Sequence, residues 1–208
     1  RFRDIVKGKT GHDELYVKGY LSGDTNYIDG FKHVFSGSVL PIAHPPLFAT
    51  ASQSINYVEC HDNNTIFDKL RVCCYNEDET TILRRVKLIN ASIMFASGVP
   101  FFHMGQEIGL SKYGEGNSYN LPDSINQFRY NELDQRMDLY HFFIDLVSIR
   151  KEFSFLRLSN KDDLEKTGEW KPIGTSVPAL AKEYFLVTGS GKFFRNVMSD
   201  PEDSIAII

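Results

Sequence analysis

The 208 residues carry a formal net charge of −4, with 42% hydrophobic and 24% charged side chains, an ordinary globular balance. Such a chain can bury the core of one large domain, or of one domain and part of another. There is no clustered run of Lys and Arg to neutralise phosphates, and no apolar stretch long enough to span a bilayer, so nucleic-acid and membrane partners are disfavoured.

Residues 1 to 50 have weak periodicity and many turn formers (GKTGHDE, SGDTNYIDG, FSGS, HPPL), which predicts loops with short helical pieces. The opening RFRDIVKGKTG and the closing SIAII both read as the middle of something longer. Ile55, Tyr57 and Val58 then predict a short, buried parallel strand. Asn76 with Glu79 has the spacing of a capping box. Ile82, Val86, Ile89, Ile93 and Ala96 follow at helical spacing, and Gly98 is placed as a left-handed cap. VPFFHM, from Val99 to Met104, predicts a second apolar strand. Strand, helix, strand over about fifty residues is a βαβ unit and implies parallel pairing.

A polar loop follows, SKYGEGNSYNLPDSINQ, and then a helix from about Asp134 to Glu152 that buries Leu139, Phe142, Phe143, Leu146 and Ile149. Beyond it the character changes. KTGEWKPIGT reads as a turn-rich bridge, ALAKEYFLV and SIAII as strands of an antiparallel region, and a boundary is expected near residues 153 to 160. Trp170, in the bridge, is expected to pack at that junction. Cys60, Cys73 and Cys74 form neither a disulfide framework nor a zinc spacing, and are read as free thiols. They favour a reducing, cytoplasmic compartment, with secretion left open because the true N-terminus is not visible.

Both predicted parallel strands end in polar clusters, CHDNN after the first and HMGQE after the second. Parallel neighbours point the same way, so both clusters and the GNSYNLPDS loop belong on one rim of the sheet, where such folds place their sites. His61, Asp62 and Asn63 could equally make an Asx turn. His103 and Glu107, four apart, could suggest a metal with His61 and Asp62, but no third His follows, so no metal and no cofactor is expected. Phe101 and Phe102 read as strand core, Glu77 to Glu79 as a helix N-terminus, and His12, His33 and His44 as loop residues.

INYVECHDN, followed about forty residues later by GVPFFHMGQE and then by NSYNLPDSINQ, resembles the second half of the α-amylase clan of glycoside hydrolases, and within it the type I pullulanases that debranch starch and glycogen. RFRDIVKG is similar to the segment before the sixth barrel strand there. The resemblance implies an α/β fold. Residues 1–152 would be the C-terminal part of a (β/α)8 barrel, and residues 153–208 the start of an antiparallel β-sandwich. It implies an α-glucan substrate and hydrolysis of α-1,6 linkages with retention. Asp62 would be the carboxylate that stabilises the transition state, and His61 would bind the sugar beside the cleaved bond with Asn63 assisting. Asn117, Tyr119, Asn120 and Asp123 would line the substrate groove. In some relatives an Arg stands four residues beyond the loop Asp; here that place is Gln127, which leaves any clamp of that kind unsupported.

Retaining glycosidases need a nucleophile and an acid/base carboxyl about 5 Å apart. The family's segments for these have no counterpart here, and a full barrel needs roughly 250 residues. The piece alone is therefore expected to be inactive, and its exposed barrel edge to promote self-association. The alternatives are another α-glucan enzyme of the clan, such as an isoamylase or an amylase, and a non-catalytic carbohydrate-binding or structural module.

Overall fold

A computed structural model describes residues 2–173, 179–184 and 194–198 of the chain. Helix α1 (Phe2–Lys7) and helix α2 (Ile28–Phe35) punctuate an N-terminal stretch otherwise built of loops and single 3-10 turns. This fits the turn-rich sequence, with one correction. His33 lies on α2 and is buried, its Nδ1 3.0 Å from the Leu40 carbonyl.

Strand β1 (Ile55–Asn56) pairs in parallel with strand β2 (Val99–Pro100), in the register Ile55↔Val99 and Asn56↔Pro100. The βαβ expectation holds, but both strands are shorter than predicted. The backbone bonds between the two segments run from Val99 N to Ser54 O at 2.8 Å and from Phe101 N to Asn56 O at 2.9 Å. A strand persists only as far as its ladder, and past these bonds each chain turns into its polar cluster. The expected two-sided burial also fails. Asn56 and Val58 are buried on one face, whereas Ile55 is 60% exposed and Val99 and Phe101 are also open on the other. Period-two alternation puts those residues on the face that the helices do not cover. Phe102, by contrast, packs against Phe143 at a centroid distance of 4.8 Å.

Between the strands lie two helices rather than one. Helix α3 (Ile66–Cys73) starts at Thr65, whose hydroxyl accepts the Asp68 amide at 3.1 Å. It buries Ile66, Phe67, Leu70 and Cys73. The T-x-x-D spacing before an apolar run is the signal for it in the sequence. Helix α4 (Glu79–Phe95) is capped by Asp78, which accepts the Thr81 amide at 2.7 Å, and not by Asn76. Glu77 is engaged elsewhere, with the buried Arg85 guanidinium (Oε2 to Nε 2.6 Å). Ile82, Val86, Ile89, Ile93 and Ala96 are all fully buried, as expected, the four branched side chains each worth about 2 kcal/mol in transfer terms. The helix stops at Phe95, with Ala96 already extended. Gly98 (φ 121) follows as part of the turn into β2 rather than as the cap, and a Cβ there would sit 2.8 Å from Ser54 O.

After the cleft segments come helices α5 (Asp123–Asn126), α6 (Tyr130–Gln135) and α7 (Met137–Glu152). Helix α7 packs along α4 with Leu139 and Leu146 buried, and Phe142, Phe143 and Ile149 half-buried against the core. Its Arg150 donates to Met94 O at 2.5 Å and to Gly98 O at 2.8 Å, satisfying carbonyls at the end of α4. Helix α8 (Lys161–Thr167) then leads directly into strand β3 (Gly168–Ile173), so the expected bridge is in fact a helix end and a strand. Strands β4 (Ala179–Tyr184) and β5 (Phe194–Met198) complete an antiparallel sheet of order β3-β4-β5. Trp170 packs edge-on to Phe35 of α2 at 5.2 Å and to Phe31 at 6.1 Å. The SIAII segment lies outside the described residues.

Candidate active-site cleft

A cleft of about 380 Å³ opens where the two parallel strands end, lined by Glu59, His61, His103, Lys112, Tyr119 and Asp123 among others. It draws side chains from both strand-end clusters and from the loop that follows β2, so the three segments share one rim. Backbone and side-chain bonds explain why. Asp68 of α3 is buried and accepts from Ser111 Oγ at 2.5 Å and from the Lys112 amide at 2.8 Å. Lys112 Nζ donates to His61 O at 3.1 Å, and Asn64 donates to Gly114 O at 2.7 Å. Arg129, mostly buried, donates to Ser111 O and stacks over the Tyr113 ring at 4.9 Å. The loop is therefore stitched to the first strand end along residues 111 to 116.

The expected site residues divide between the cleft and its margin. His61, Tyr119 and Asp123 line the cavity. His61 and Asp62 face each other at 3.1 Å, Nδ1 to Oδ1, with side chains 80% and 65% exposed. A contact so open to water contributes little to stability, and what it offers is accessibility. Asn63 adopts φ 65, in the left-handed region that Asn tolerates better than most residues, and so supplies the turn at the strand end. Its neighbour Asn64, buried, makes the bond to the loop. Asn117 and Asn120 are exposed and are not part of the cavity wall. The strand-end pair Gln106 and Glu107 is structural. Gln106 is fully buried and donates to Asn90 Oδ1 at 2.8 Å, while Glu107 accepts the Gly105 amide at 2.8 Å.

Sequence reasoning passed over Glu59. This carboxylate is 2% exposed and sits 2.9 Å from His103 Nδ1, while its other oxygen accepts the Ile66 amide at 2.7 Å. The signal for it was present, since a Glu inside the apolar run YVEC is a charge where burial demands partners. Nearby, Lys7 of α1 is also buried. Desolvation brings its amine down from 10.5 to about 8, with the attraction of Glu59 opposing the fall. Because His103 turns to Glu59 and Glu107 turns to a backbone amide, the two do not converge on a common point. Among the described residues no group of three His, Cys, Asp or Glu side chains is placed to hold a metal.

No family model matches the chain. A pullulanase from Bacillus subtilis is 38% identical over 165 residues, covering 79% of this chain and 23% of that protein. Isoamylase 3 from rice is 34% identical over 85 residues, covering 39% of this chain and 11% of that protein. A crystallised pullulanase from Anoxybacillus, complexed with maltotetraose, superposes with a TM-score of 0.87 at 32% identity over 96% of this chain and 28% of that one. The chain thus spans about a quarter of the length of the pullulanases it matches.

Proposed function

We propose, starting from a chain that belongs to the pullulanase family of glycoside hydrolases, that these residues form one wall of the active site of an enzyme cleaving α-1,6 linkages in branched α-glucans. In this reading residues 1–152 are the last part of a (β/α)8 barrel and residues 153–208 begin a β-sandwich. The observation that carries it is the convergence on one cleft of His61 from the first strand end, His103 from the second, and Tyr119 and Asp123 from the following loop, with Asp62 beside His61 at the margin. Of the seven residues expected from sequence, Asp62 stabilises the positive charge that develops on the sugar, accepting sugar hydroxyl bonds that strengthen in the transition state. His61 hydrogen-bonds the same sugar, Asn63 shapes the turn that presents both, Tyr119 and Asp123 line the groove, and Asn117 and Asn120 stand at its margin.

The nucleophile and the acid/base come from outside these 208 residues. Glu59, the carboxylate buried in the cleft wall, is already committed to His103 and the Ile66 amide. The open apolar face of Ile55, Val99 and Phe101 is where the other barrel strands would pack, and where the isolated piece would self-associate. The compartment in this reading is the cytoplasm. The similarity to an isoamylase supports one second reading, a debranching enzyme with a different branch preference.

The test uses the full-length protein that carries this chain. It should hydrolyse pullulan and leave linear amylose nearly intact, and Asp62→Asn should lower kcat by roughly 10² to 10³ without changing the melting temperature. Equal rates on amylose, or near-normal turnover by the variant, would refute the assignment.

A further inference from the structure

In the reading above His103 only marks its strand end and Glu59 has no role toward substrate, yet the two meet in the cleft wall. A buried carboxylate is tolerated only when its oxygens are bonded. Here one oxygen accepts the amide of Ile66, at the start of α3, where free N–H groups and the helix dipole both favour an anion. The other faces His103 Nδ1 at 2.9 Å. An ionised carboxylate can only accept, so the proton of this bond belongs to Nδ1. That fixes the tautomer of the neutral ring and leaves the lone pair on Nε2. Among the described residues Nε2 has no partner. The side chain of His103 is 25% exposed and lines the cavity together with Tyr119 and Asp123. The ring is anchored from behind by a buried anion, with its other nitrogen left for whatever fills the cleft.

We propose that His103 contacts substrate, accepting a hydrogen bond from a carbohydrate hydroxyl through Nε2, and that Glu59 is its positioning residue. This rests on the glucan reading of the cleft and adds a sugar contact from the β2 strand end, next to the one that carries His61 and Asp62. Glu59 fixes both the direction of the ring and which nitrogen accepts, and it does so from a point closed to solvent.

The experiment is steady-state hydrolysis of pullulan, with maltotetraose binding measured in parallel, by the full-length protein and four variants. His103→Phe, which keeps a ring but has no acceptor, should raise KM and the maltotetraose Kd about fivefold to tenfold, the worth of one hydrogen bond, with kcat within twofold. His103→Gln, whose amide oxygen can accept, should recover most of that loss. It also serves as the second probe if the Phe ring does not fit. Glu59→Gln keeps the bond to the Ile66 amide through its oxygen, but its NH₂ would now donate to Nδ1. It should raise KM about threefold, and that increment should vanish in the Glu59→Gln/His103→Phe double variant, because Glu59 acts only through the ring. A pullulan-cleaving wild type whose KM ignores both His103 variants overturns this inference alone. So does a Glu59→Gln increment that survives in the double variant. A wild type that neither cleaves pullulan nor binds maltotetraose overturns the glucan reading and this inference with it.

Discussion

The cleft has two walls built on different principles. Behind it, Glu59, Asp68 and Gln106 are almost wholly buried, and each makes hydrogen bonds to other segments of the chain. In front, His61, Asp62 and Tyr119 stand out in solvent, and Tyr119 is 80% exposed. The rear groups spend their hydrogen-bonding capacity on the protein, so removing one leaves a buried partner unsatisfied. The front groups stand open to solvent, where the proposed glucan would meet them. Substitutions behind the cleft should therefore be read as losses of stability, and substitutions in front as losses of affinity or turnover. His103 joins the two walls, held by Glu59 behind and facing the cavity in front.

The largest departure should come from the rear. Asp68→Ala frees the Lys112 amide and the Ser111 hydroxyl at once, and should lower the unfolding free energy of the full-length protein by about 3 kcal/mol. Denaturant melts give the number, and a loss below half of that would mean the 111–116 loop is held by Arg129 and Asn64 instead. A smaller effect is expected in front. Tyr119→Ala should weaken maltotetraose binding about fivefold, near 1 kcal/mol of lost aromatic contact, while stability stays within about 0.5 kcal/mol. A clear loss of stability with unchanged binding would place Tyr119 on the wrong wall.

An effect that appears only as the pH is raised concerns Lys7, buried near Glu59. Its amine titrates near 8 in the folded protein against 10.5 in the ordinary state, because burial disfavours the charge. Between those values the unfolded chain binds the extra proton, so this group makes stability rise with pH from about 8 to about 10.5, and contributes no slope below 8. The slope is at most about 1 kcal/mol per pH unit. Lys7→Met should remove that rise, visible as wild-type and variant stability curves that run parallel at pH 7 and separate above pH 8. Parallel curves up to pH 10 would show that Lys7 is better solvated than its burial implies.

Much of this organisation is visible in the residue pattern. The spacing of Ile82, Val86, Ile89 and Ile93 defines the buried stripe of α4, and strand, helix, strand implies the parallel pairing of β1 and β2. The polar tips at His61–Asp62 and at His103 mark the rim before any coordinate is known. Other features were written in the sequence but outweighed. Thr65 and Asp68 announce α3, yet the apolar run beginning at Ile82 drew the helix to a later start. Trp170 packs at the junction as expected, whereas the Gly and Pro around it predict a turn where the chain forms β3.

By itself the sequence determined the local elements and the polarity of the strand ends, since periodicity, capping and turn chemistry act over a few residues. Which polar groups would be buried and which left open was decided only by tertiary structure. Glu59 and His103 are 44 residues apart, and nothing local distinguishes the buried Glu59 from the exposed Asp62 three residues later. Burial sets the cost of an unpaired charge, and burial is a property of the whole packed molecule. Which carboxylate is buried as scaffold and which stands open to solvent therefore appears only when the segments meet.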